Sequence, residues 1–150
     1  MSLCKNLEVI IKREKCKMEY LAATSGISKV TINNVIKDRK VPKLDTVYYL
    51  FNAMGYDLYL VSPCGWKQRY ESISDWLDFI MDNENLNVKG LADAFQCTDV
   101  SIYYYLRDDR SPSIYFIQSF ANRFGYSIKL VKGDVEYDLF KPINIWQGVC

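Results

Sequence analysis

The sequence predicts a mainly α protein built from two tandem copies of one helical unit, each followed by a short β-strand, with a hairpin after the second copy. Three observations predict it. The segment from Leu21 to Val61 overlays that from Leu91 to Val131 at a constant offset of 70 without a gap, and 11 of the 41 positions are identical. Within each copy, apolar residues recur at spacings of three and four, the period of a helix with one buried face. After Gly55 and Gly125 the pattern changes to alternation, the period of a strand. The shared residues are structural: Leu21 with Leu91, Ala22 with Ala92, Ile32 with Ile102, Pro42 with Pro112, Gly55 with Gly125. A proline, a Gly-Tyr and a Leu-Val at one common offset mark a duplication.

Each unit opens on a helix whose apolar side is Leu3, Leu7, Ile10 and Ile11 in the first copy and Ile73, Trp76, Leu77 and Ile80 in the second. Ser72 or Ser74 opens the second of these, and the polar run Asn83-Glu84-Asn85 ends it. A short helix follows at Met18 to Thr24 and at Val88 to Phe95. A third begins after Ser28 or Thr98, each a good helix cap. A proline turn leads to a fourth helix, about Leu44 to Met54 and Ile114 to Phe124, stopped by Gly55 and Gly125 at left-handed positions. Strands are expected at Asp57 to Val61, Ser127 to Val131 and Val135 to Phe140, the last two joined by the turn Lys132-Gly133-Asp134. The domain boundary is placed between 66 and 67, and the short linker Ser62-Pro63-Cys64-Gly65 implies that the copies pack together, through the strands.

Charge separates the copies. Residues 1–66 carry 10 Lys plus Arg against 6 Asp plus Glu, net +4, whereas residues 67–150 carry 9 against 12, net −3. A polyanion therefore prefers the first half. The chain lacks histidine, which removes the commonest general base and zinc ligand. It also lacks a glycine-rich nucleotide loop, a metal-ligand cluster and a carboxylate pair forced together by spacing, so neither an enzyme nor a bound cofactor or metal is expected. The five cysteines have no CxxC pairing and read as reduced, mostly buried thiols of a cytoplasmic protein, with Cys150 exposed at the end. No window approaches 18 uncharged apolar residues, so no membrane association is expected.

The run LAATSGISKVTINNVIKDRKVPKLDTVYYLFNAMGY, with its Leu-Ala, Gly-hydrophobic-Ser, central Ile, basic turn, Pro and closing Gly, resembles the lambda-repressor-like, Cro-type helix-turn-helix family. The resemblance covers most of residues 5–61 and, more loosely, 73–131, which makes the chain tandem helix-turn-helix units. The residues carry their own reasons. Ala22 lets two helices cross closely, Gly26 permits the turn, and Ser28 caps the third helix. Ile32 and Val35 then face inward while Lys29, Val30, Asn33, Asn34 and Lys37 face out, a helix suited to the major groove, where Asn reads adenine and Lys reads guanine. The resemblance implies base contacts from Lys29, Val30 and Asn34, with phosphate contacts at Lys37 and Lys40. Asn33 shares the outward face, and Arg39 and Lys43 complete the basic patch. Met18 stands where the family often has Gln, and Asp38 where it has Gly.

The second copy has Gln96 for the turn glycine, Asp99, Val100 and Tyr104 at the reader positions, and the nearly neutral turn Arg107-Asp108-Asp109-Arg110. Three readings follow for it: a second DNA face, a packing module, or a protein-binding face of Tyr103, Tyr104 and Arg107, since Tyr and Arg favour interfaces. Tyr105 is expected in the core. The leading expectation is a sequence-specific, double-stranded-DNA-binding transcriptional repressor of bacterial or phage origin. One reading helix covers about 3 to 4 bases, which favours a homodimer. The alternative is a protein partner: an inhibitor of a host nuclease or defence effector that reuses the fold, with the acidic second half competing for a basic channel.

Overall fold

The computed structural model describes residues 2–143. The fold is mainly α, with eight helices and one four-stranded antiparallel sheet among the described residues. The helices are α1 (Ser2–Arg13), α2 (Met18–Ser25), α3 (Lys29–Ile36), α4 (Leu44–Ala53), α5 (Ile73–Glu84), α6 (Val88–Phe95), α7 (Asp99–Leu106) and α8 (Ile114–Phe124). The strands are β1 (Asp57–Val61), β2 (Lys67–Arg69), β3 (Ser127–Lys132) and β4 (Val135–Asp138). The bounds of α2 and α3 recur in α6 and α7 at the offset of 70. Gly55 and Gly125 follow α4 and α8 with φ of +89° and +75°, and Gly26 makes the turn after α2 at +75°. Lys15, Asp38, Asn85, Gln96 and Asp108 adopt the same left-handed backbone without being glycine.

The sheet order is β2-β1-β3-β4, so the central pair joins the two halves. In that pair Tyr59 faces Lys129, its own counterpart 70 residues on, while Leu58 faces Leu130 and Leu60 faces Ile128. The register therefore has a local two-fold axis at Tyr59 and Lys129. Leu58, Leu60, Ile128 and Leu130 are all buried and turn one face of the sheet onto the helices, and a single apolar core runs through both halves. The boundary expected between 66 and 67 falls inside the β1–β2 hairpin, where Val61 pairs with Lys67.

The first-helix contacts show how the chain closes. Trp76 Nε1 donates to Gln68 O at 3.1 Å, fixing α5 against β2. In α1 the equivalent residue is Asn6, buried, whose amide donates to Leu139 O and Lys141 O at 2.8 Å each and accepts from Ile143 N at 3.0 Å. The segment after β4 thus docks on α1 much as β2 docks on α5. Buried Tyr70 lies 4.9 Å from Trp76 and 5.0 Å from Tyr48 between ring centroids, and its hydroxyl donates to Asp45. Burial, and then that carboxylate, push the Tyr70 phenol far above its ordinary range.

Three expectations need correction. The last strand ends at Asp138, because the Asp138 carboxylate accepts from Phe140 N at 3.0 Å and turns the chain. The cysteines are not mostly buried: Cys4 is, Cys16 and Cys97 are half-buried, and Cys64 is exposed in the hairpin loop, where no helix covers it. Cys150 lies outside the described residues. Tyr105 is half-buried rather than interior, its ring 5.0 Å from Phe116 at the edge of the core. No helix among the described residues is long and apolar enough to cross a membrane.

Candidate nucleic-acid interface

The turn before α3 is built from short polar bonds. Ser25 Oγ donates to Leu21 O at 2.6 Å and accepts from Ile27 N at 3.2 Å, while Gly26 N donates to Ala22 O at 3.0 Å. Ser28 Oγ then accepts from Thr31 N at 3.2 Å, satisfying one of the free amides that open α3. Ile32 and Val35 anchor the helix, 0% and 1% exposed. The opposite side is open, with Val30 70% exposed and Lys29 and Asn33 also exposed; Asn34 is half-buried. Lys29 Nζ reaches Glu19 Oε1 at 3.0 Å. A backbone amide and then Lys29 hold the Glu19 carboxyl below its usual range.

After α3 the chain turns sharply, Arg39 N donating to Asn34 O at 2.8 Å with Asp38 left-handed. Lys37, Arg39, Lys40 and Lys43 are all exposed, and none forms an ion pair with another described residue. Asp38, also exposed, lies between Lys37 and Arg39. Its carboxylate accepts from buried Cys4 Sγ at 3.5 Å, at the start of α1, where the helix dipole favours an anion. Burial and this carboxylate push the Cys4 thiol up. Asp108, 70 residues on, repeats the arrangement by accepting from Ser74 N at 3.3 Å at the start of α5. Sequence reading missed this role; the shared left-handed Asp at one offset was the available signal.

The second copy presents different chemistry on a similar frame. Thr98 Oγ1 accepts from Ser101 N at 3.2 Å, and Gln96 takes the turn at φ +57° in place of glycine. Val100 and Tyr103 are 61% and 51% exposed, and Asp99 is exposed. Tyr104 is half-buried beneath two guanidinium groups, Arg110 at 4.4 Å and Arg107 at 5.4 Å from its ring centroid. Arg107 also pairs with Asp109 at 3.2 Å. Along α5, Asp75, Asp78 and Asp82 replace Lys5, Glu8 and Lys12 of α1. Burial, then Asp75, Asp82 and Asp108, push the Asp78 carboxyl up.

The four α3 positions and the four basic turn residues thus lie on two consecutive segments of the first half, and the six second-half positions on their counterparts. A cleft of about 650 Å³ lies elsewhere, between the α1–α2 turn, the end of α4 and Lys132. Of its three lysines, Lys132 is engaged internally, pairing with Glu14 and donating to Met54 O at 3.0 Å. Among the described residues no group of His, Cys, Asp and Glu is placed to hold a metal ion. No protein-family model matches this chain, and no curated protein or solved structure matches it.

Proposed function

We infer that the chain binds double-stranded DNA and represses transcription by occupying its site, α3 lying in the major groove as the protruding helix of a helix-turn-helix unit. The observation that carries this reading is the pairing of an open α3 face with four exposed cations, Lys37, Arg39, Lys40 and Lys43, none of which forms an ion pair with another described residue. Phosphate contacts position a protein and base contacts specify the sequence, and the two groups here divide in that way. Asn34, half-buried where Asn33 is exposed, is the residue proposed for a bidentate contact to adenine. The residue motif of the Cro-type family supports the same assignment.

The inhibitor reading draws on the acidity of the second half and on exposed Val100 and Tyr103. One of the acidic groups concerned, Asp109, pairs with Arg107 at 3.2 Å, which leaves less charge to offer a basic channel. The DNA reading is tested by selecting duplexes from a random-sequence library with the full chain. Asn34→Ala is expected to cost about 1–3 kcal/mol on the selected duplex and little on random DNA. An unchanged base preference removes Asn34 as a reader, and failure to retain any duplex at about 50 mM salt overturns the function itself.

A further inference from the structure

The two halves meet through more than the central strands. Lys43 forms an isolated antiparallel bridge with Ser113, again its own counterpart 70 residues on. Leu44 N donates to Pro112 O at 2.8 Å, and Ile114 N donates to Pro42 O at 3.0 Å, each bond being the other with the halves exchanged. Tyr70 N to Leu58 O at 2.7 Å and Leu139 N to Ile128 O at 2.9 Å repeat the exchange with a one-residue shift in the shorter hairpin. One two-fold operation therefore maps each joint onto itself, the sheet joint at Tyr59 and Lys129 and the proline-turn joint at Lys43 and Ser113, so both lie on one axis.

The axis has a direction. α4 starts at the proline-turn joint and leads to β1, and α8 starts there and leads to β3, so the two joints stand roughly 15 Å apart along helices of 10 and 11 residues. The basic turn of residues 37–43 and its counterpart 107–113 converge on the joint remote from the sheet. A two-fold axis leaves unchanged any direction along itself, so whichever way α3 faces along the axis, α7 faces too. The strand and proline-turn surfaces that pair the two halves, which two identical chains could otherwise use for a symmetric dimer, are consumed inside one chain. Sheet edges offer a poor substitute, since β2 is three residues with Lys67 and Arg69, and β4 carries Glu136 and Asp138.

Resting on the DNA reading above, we propose that a single chain is the complete DNA-binding unit: one protomer occupies two unlike half-sites, α3 on one and α7 on the other. The α3 half is cationic. The α7 half offers Val100 and Tyr103 as apolar contacts and Arg110, its guanidinium over the Tyr104 ring, as its phosphate contact. The acidic stripe Asp75, Asp78 and Asp82 beside it makes this the weaker half. The site is therefore asymmetric, which two identical chains on a palindrome would not give.

The experiment uses the full chain and the duplex recovered from the random-sequence library. Chains per duplex are counted by sedimentation, and hydroxyl-radical footprinting maps the protected backbone. One chain per duplex is expected, with protection over two groove segments about 10 base pairs apart. Asn34→Ala should relax the sequence selected in one half-site only. Val100→Ala with Tyr103→Ala, both at exposed positions that leave the core intact, should relax the other and weaken binding about tenfold. Two chains on a symmetric footprint overturn the proposal while leaving the DNA reading standing. So does a Val100/Tyr103 variant that selects the same sequence with the same affinity, whether or not it loses a protein partner. Failure of the parent chain to bind any duplex at low salt removes both.

Discussion

Replacing Lys37 and Lys40 by Ala removes two of the four exposed cations in the α3–α4 turn, and the effect on the proposed DNA binding follows from counterion release. Each phosphate neutralised contributes about −0.9 to the slope of log affinity against log salt. If Lys37, Arg39, Lys40 and Lys43 each meet one phosphate, their share of the parent slope is about −3.6, a loss of about 150-fold between 50 and 200 mM salt. In the double variant that share should fall to about −1.8, or about 12-fold over the same range. Lys29 is left out of this count because Glu19 already holds it. Fluorescence anisotropy of a labelled duplex across a salt series measures both slopes, and thermal melting checks that the fold is retained, as exposed lysines should allow. A parent slope shallower than −1, or a double variant with an undiminished slope, would refute the placement of this turn on the DNA backbone.

Tyr70→Phe should destabilise the fold by about 1–2 kcal/mol, read as a lower urea midpoint, because it removes a hydrogen bond to the Asp45 carboxylate at a buried site. Burial, first, and the charge of Glu14 push the Tyr56 phenol up to about 12 from a reference of 10.0. Folding therefore favours the neutral phenol: that stability is intact below pH 10 and is lost as pH rises from 10 to 12, and Tyr56→Phe should flatten this part of a denaturation-versus-pH profile. Asp78 has its pKa raised, so its charge costs stability at neutral pH, and Asp78→Asn should raise the melting temperature at pH 7 with the gain vanishing once acid protonates the parent. A lower melting temperature at pH 7 would show that Asp78 makes a favourable contact.

The helices were legible because each copy obeys the same packing needs. Ser28 and Thr98 cap, Ile32 and Ile102 are buried, and the left-handed turns fall at Gly26, Gly55 and Gly125. β2 was not, since Lys-Gln-Arg carries no apolar alternation; it is a strand only because β1 lies beside it. The register at Tyr59 and Lys129 also escaped, because alternation tells which side chains point inward but not which distant strand they meet. In the candidate site, the exposure of α3 could be read from its period. The engagement of Asp38, Asp108 and Asp109 could not, because each depends on a partner brought near by the fold.

The internal two-fold axis changes what a single substitution does. In a pair of identical chains every replacement is made twice, at both symmetry-related positions, so a residue good for one and bad for the other is never an option. Here the mates are separate codons. Asn6 accepts and donates three bonds to the segment after β4, whereas its mate Trp76 fills the aromatic cluster with Tyr70. Lys29 and Asp99, or Tyr59 and Lys129 facing each other across the axis itself, have likewise been free to part. Positions on such an axis are where this freedom matters most: a lysine meeting its own copy repels it, while Lys129 here lies opposite a tyrosine and pairs with Asp138 at 3.6 Å.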